Sequence, residues 1–159
     1  ARNFQKFRVG AFEGSGPISS KKSGPGPNRE FTMEPMIDRI GGEPQVQQLV
    51  NHFYDLIETV PQGAAIMAMH QKGHGLSHVR PEQFNFLCGF FGGRRYYHER
   101  HGHMNLREIH AHVEIRTQDA EDWLAVMDRA MTETGVAEPM RSQIAATFRR
   151  AALMLVNPP

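Results

Sequence analysis

Five of the nine histidines in this 159-residue chain fall within 15 residues, at His98, His101, His103, His110 and His112. An imidazole nitrogen binds zinc, copper, nickel or iron, and the accompanying ligands decide which. A structural zinc site would draw most of those ligands from cysteine, yet Cys88 is the only one. A hydrolytic zinc helix needs two His four residues apart around a Glu, and that pattern is absent. His98, His101 and His103 lie in a polar stretch without periodic register and read as surface loop residues. His110 differs, because it follows Leu106 and Ile109 at helical spacing and precedes Val113 and Ile115. That spacing turns it toward apolar surroundings, either as a core histidine or as a ligand.

Three further polar side chains interrupt apolar stripes. Val46, Leu49, Val50, Phe53, Tyr54 and Ile57 recur at helical spacing, so the Tyr54 phenol lies on the buried face. Gln83 falls among Val79, Leu87 and Phe90, with Phe86 and Phe91 beside them, and Trp123 heads a row with Met127 and Met131. A hydroxyl, an amide and an indole N–H facing inward from three helices must bond one another or converge on a polar ligand in an apolar pocket. No Cys-x-x-Cys-His run is present for covalent haem attachment, although a noncovalent haem needs only one axial His.

The elements that carry these residues are helical almost throughout, and no alternating strand is evident, which predicts an all-α domain. A short helix over 35–40 meets Gly41-Gly42, which suits a reversal, and Glu43-Pro44 opens a helix running to about Thr59. Pro61 ends it. A short turn is expected over 63–70, a loop over 71–78, and a helix over about 79–91 closed by Gly92-Gly93. Residues 94–105 have no clear period, and a short helix near 105–111 follows. The last two helices run from Asp119 to Met131 and from Pro139 to about Leu155. The final one turns Met140, Ile144, Phe148, Ala151, Ala152 and Leu155 inward.

Residues 1–32 contain 12 Gly, Pro or Ser, with six Lys or Arg against two Glu. Such a segment buries too little apolar surface to offset its ordering entropy, so it reads as a flexible basic extension of a domain spanning 33–159 and opening at Met33. Across the chain 18 basic residues nearly balance 17 acidic ones, which argues against nucleic acid or a membrane face as partner. No apolar run approaches the ~20 residues that span a bilayer, and no secretory signal is evident. The expectation is a soluble cytoplasmic protein, monomer or homodimer, without an internal disulfide.

The ordered set Phe53-Tyr54-Asp55, Met69-His70, Phe86-Leu87 with Gly92-Gly93, Gly102-His103, Leu106-Arg107-x-x-His110 and Asp122-Trp123-Leu124 resembles the group II truncated haemoglobins over roughly residues 36–156. The resemblance implies a truncated globin fold, a 2-over-2 helical sandwich around haem b (iron protoporphyrin IX). It places His110 as the proximal iron ligand, with Tyr54 and Trp123 as donors to an iron-bound ligand. Phe53 and Phe86 would pack near the haem, His70 would occupy a distal position, Val79 and Gln83 would line the distal pocket, and Arg107 would meet a propionate. Departures fall at Arg94 and Met104, where the family usually has Pro, at Ile109, commonly Arg, and at Val113, commonly Phe. They leave the ligand set intact but alter propionate contacts and proximal packing, and His112 is a backup ligand.

The resemblance implies binding of O₂, CO, NO or other small haem ligands. Tyr54 and Trp123 would act as hydrogen-bond donors to the ligand, with His70 or Gln83 as a third. Several donors retain oxygen, which suits redox chemistry better than transport, so NO dioxygenase or peroxidase-like turnover with an unidentified reductase is the expectation. His70 or Gln83 could instead fill the iron's sixth position. Two alternatives stand beside it: a haem-based gas sensor, disfavoured because no output domain follows residue 159, and a haem-free divalent-metal binder using His98, His101 and His103.

Overall fold

The computed structural model describes residues 33–157, which form eight α-helices and no strand. In chain order they are α1 (Met36–Ile40), α2 (Gly42–Thr59), α3 (Gly63–Gln71), α4 (Leu76–Phe90), α5 (Tyr96–His101), α6 (Leu106–Ile109), α7 (Thr117–Glu133) and α8 (Met140–Met154). The extension expected over 1–32 lies outside the described residues. Two helix pairs make the body: α2 packs on α4, α7 packs on α8, and α2 also packs on α7 to join them. This is the expected all-α sandwich of two helices over two.

The pairs meet through the predicted stripes. Val46, Leu49, Val50, Phe53, Tyr54 and Ile57 of α2 are all buried, as are Met127 and Met131 of α7 and Met140, Ile144 and Phe148 of α8. Aromatic rings run across four helices. Phe90 stacks on Phe148 with centroids 5.4 Å apart, Phe148 meets the Trp123 edge at 5.3 Å, and Trp123 lies 5.4 Å from Phe53. Arg80 ties α4 to α2 by donating to the Asn51 carbonyl at 3.0 Å and the Asp55 carboxylate at 2.9 Å.

Three expectations need correction. The segment read as a turn over 63–70 is the nine-residue helix α3. Its sequence, Gly-Ala-Ala-Ile-Met-Ala-Met-His-Gln, is apolar on nearly every face and so carries little 3.6-residue signal. The expected loop over 71–78 is shorter, because α4 starts at Leu76. Pro81 therefore lies inside α4, where it removes one intrahelical bond. Within the stretch read as aperiodic, Tyr96–His101 forms α5, none of whose residues is buried, so no apolar stripe announced it.

Gly63 explains the tight corner between α2 and α3. A Cβ at that position would run into the Ile57 carbonyl group, backbone atoms that cannot turn aside. Only glycine lets α3 begin directly beneath the end of α2.

Candidate functional site

Between the helix pairs lies a cavity of about 400 Å³, within the ~300–1,000 Å³ typical of small-molecule and cofactor sites. Tyr54 from α2, His70 from α3, Val79, Gln83 and Phe86 from α4, Trp123 from α7 and His110 beyond α6 all line it. The three helices that turn polar side chains inward therefore converge on one space. Two expected residues stand elsewhere. Phe53 is wholly buried behind the wall, its ring edge-on to Tyr54 at 5.0 Å. Arg107 is exposed on α6 and is not among the lining residues.

His110 closes α6, which Asn105 opens by accepting the backbone N–H groups of Arg107 and Glu108. Its Nδ1 lies 2.8 Å from the Leu106 carbonyl oxygen. A carbonyl can only accept, so the proton belongs on Nδ1 and Nε2 keeps a free lone pair. Burial lowers the His110 pKa, the Leu106 hydrogen bond opposes that shift, and His112 reinforces it. The ring is thus a neutral imidazole with one nitrogen fixed to the backbone, the arrangement that orients a metal ligand. Beyond it, Asn157 donates to the Val113 carbonyl at 3.0 Å and accepts from the Ile115 N–H, fastening the segment that follows.

His70 repeats the arrangement on α3, with Nδ1 2.7 Å from the Ile66 carbonyl oxygen. Its Nδ1–H is thereby engaged, and the neutral ring presents an acceptor to the cavity. The expectation of His70 as a third donor needs that correction. Burial lowers the His70 pKa, with the Ile66 bond opposing and His110 adding to the shift.

Tyr54 donates weakly to Gln83 Oε1 at 3.4 Å, and its ring lies edge-on to His70 at 5.9 Å. Burial raises the Tyr54 pKa against the pull of the nearby Arg80 cation, so the phenol remains a donor at neutral pH. The long bond to Gln83 leaves that hydroxyl weakly committed, free to turn to a better acceptor.

Several cavity groups escaped the sequence reading. Glu82 and His101 line the rim and bond each other at 2.6 Å, and Arg100 pairs with the same carboxylate at 3.1 Å. Tyr97 lines the cavity 4.3 Å from the His101 ring, while His74 and His78 face each other at 5.1 Å. The four-residue step from His74 to His78 was the available signal, hidden by reading that stretch as a loop. Asp119 also lines the cavity, but its carboxylate accepts from the Arg116 backbone N–H at 2.9 Å and from the guanidinium. Burial pushes its pKa up and the Arg116 bonds overcome it, leaving a net lowering. His98 and His101 belong to α5, not to a loop. Among the described residues no three His, Cys, Asp or Glu side chains are grouped to hold a metal ion.

The sequence pattern of the bacterial-like globins matches residues 35–157. The group 2 truncated haemoglobin YjbI of Bacillus subtilis is 30% identical over 116 residues, covering 73% of this chain and 84% of that protein. Among solved structures, the group II 2-on-2 haemoglobin of Agrobacterium tumefaciens superposes with a TM-score of 0.75 at 32% identity, covering 82% of this chain and 99% of that one. The structure described as a truncated oxygen-avid haemoglobin from Bacillus subtilis gives 0.69 at 29%, covering 78% and 100%.

A short helical sandwich enclosing an imidazole-bearing apolar cavity defines a compact globin. The chain belongs to the bacterial-like globin family, as a group II truncated haemoglobin. Globins bind small ligands on a haem, and the cavity fits one in kind: its walls are mostly apolar and the His110 Nε2 lone pair is unencumbered. No helix among the described residues is long and apolar enough to cross a membrane.

Proposed function

We propose that the cavity holds haem b with His110 as its axial ligand, and that the protein binds O₂ and other diatomic molecules tightly enough for redox turnover. His110 would hold the iron of such a group, which would supply the site at which a diatomic molecule binds. The observation that carries the reading is the fixed His110 tautomer in a cavity shared with Tyr54, Gln83 and Trp123. The Tyr54 hydroxyl and Trp123 N–H are donors in an apolar surrounding, where a hydrogen bond to a charged acceptor contributes about 1.5–3 kcal/mol. Two of them slow ligand escape, in keeping with the similar Bacillus subtilis haemoglobin that is called oxygen-avid.

A pocket that retains oxygen favours NO dioxygenation or peroxidase-like chemistry over transport, with electrons from a separate reductase. Val79 and Phe86 fill the walls and keep water out, and Arg107 on the exposed face of α6 is the proposed propionate partner. The globin unit is assigned to 33–159, with 1–32 as an extension. A reducing cytoplasmic setting accords with the one thiol, Cys88, buried and pushed up to about 11. Absorption spectra of the purified ferric, ferrous and CO-treated protein test the reading. An intense Soret band that shifts with CO is expected, and His110→Ala should lose haem or abolish the parent spectrum. A His110→Ala spectrum identical to the parent's would refute the ligand assignment.

A further inference from the structure

Resting on the haem reading, we propose that His70 is the proton acceptor for weakly acidic ligands of the ferric protein, molecules HX that bind as X⁻, such as hydrogen cyanide, hydrogen sulfide or hydrogen peroxide. The Nδ1–H is tied to the Ile66 carbonyl of its own helix at 2.7 Å, which leaves the Nε2 lone pair on the ring edge turned away from α3. His70 lines the cavity, its ring edge-on to Tyr54 at 5.9 Å. The imidazole is therefore not a donor to a neutral ligand but a base with a fixed direction.

The other titratable groups around the cavity are engaged or open to solvent. His110 is assigned to the iron. On α4 and α5, Glu82 and His101 are bonded to each other, with Arg100 on the same carboxylate. Asp119 on α7 is held by Arg116, and Tyr54 on α2 is a neutral phenol with the Arg80 cation 5.6 Å from its ring centroid. His74, His78 and His112 are exposed, and Tyr97 is itself an acid. Among the described residues that line the cavity, His70 is the half-buried free base that remains.

The step balances without any oxidant or reductant. The H–X bond would break with its proton forming Nε2–H on His70, and X⁻ would be left for the haem to bind, with the Tyr54 hydroxyl donating to it. Burial disfavours an isolated imidazolium, but an anion arriving in the same cavity stabilises one, so proton and anion are taken up together. CO and O₂ bring no proton and gain nothing from this base.

Stopped-flow mixing of the ferric haem-loaded protein with cyanide tests the proposal, since hydrogen cyanide is largely undissociated near neutral pH. His70→Phe and His70→Gln are expected to slow cyanide association by about 100-fold, the scale of a lost general base. CO carries no proton, so its association with the ferrous protein should change far less than cyanide association, and the ratio of the two rates reads the base. The parent rate should also fall as pH drops and His70 takes its proton from bulk water, an acid limb that both variants lose. Cyanide binding as fast in both variants as in the parent overturns the proposal. So does a low-spin ferric spectrum in the parent that becomes high-spin on replacing His70, which would make His70 the sixth ligand. Absence of a Soret band overturns the haem reading as well, whereas these cyanide results overturn the base alone.

Discussion

At the scale of single residues, the cavity separates donors from acceptors. Tyr54 and Trp123 can give a hydrogen bond to an incoming ligand, whereas His70 can only receive one while neutral. Tyr54→Phe removes a hydroxyl but keeps the ring that packs on Phe53, so its effect on O₂ release isolates the hydrogen bond. Losing a bond worth about 1.5–3 kcal/mol speeds release by about ten- to hundredfold. Trp123→Phe should act in the same direction, and flash-photolysis off-rates measure both. If neither variant accelerates release, the donor account is wrong. These residues were legible in the sequence because each is a polar side chain on an otherwise apolar helical stripe. The His70 tautomer was not, because it depends on a carbonyl four residues earlier in a helix that its own composition conceals. His110 was legible as a residue facing apolar surroundings, but spacing alone left core and ligand both open, and the proposed ligand role rests on its placement in the cavity.

At the scale of elements, amphipathic helices declared themselves and uniform ones did not. α2, α7 and α8 place most of their predicted stripes in the core because one face is apolar and the other polar, while Trp123, Ala151, Ala152 and Leu155 are half-buried along the cavity. α3 lacks that contrast, and α5 has no buried residue to set a period, so both depend on tertiary packing that no local pattern records. Yet α3 carries His70 and α5 carries Tyr97 and His101, so the elements hardest to read hold part of the cavity wall. Gly63 is the residue through which α3 is positioned. Gly63→Ala sets a methyl group against the Ile57 backbone and should destabilise the fold by about 1–3 kcal/mol, the usual range for overpacking. Urea unfolding measures the loss, and an unchanged midpoint would mean that the α2–α3 corner relaxes freely.

At the scale of the whole molecule, the two helix pairs enclose a space instead of closing on each other. The walls of that space are mostly apolar, contributed by every helix from α2 to α8 together with the segment after α6. A haem bound in this cavity of about 400 Å³ would give its lining side chains packing partners, completing the core as well as carrying the proposed chemistry. Binding to the folded state alone adds stability by mass action, about 4 kcal/mol when the ligand stands a thousandfold above its dissociation constant. For a chain of this length that corresponds to a shift in melting temperature of about 10 °C. Thermal melts followed by circular dichroism, before and after haem extraction and again after reconstitution, should show the midpoint fall and recover. His110→Ala should begin near the extracted value and gain less from added haem, because the ring that anchors the cofactor is gone while the apolar walls remain. Equal midpoints for the extracted and reconstituted parent would mean that the helix pairs close without the haem, and the cavity would then be a consequence of the fold and not the place its stability is completed.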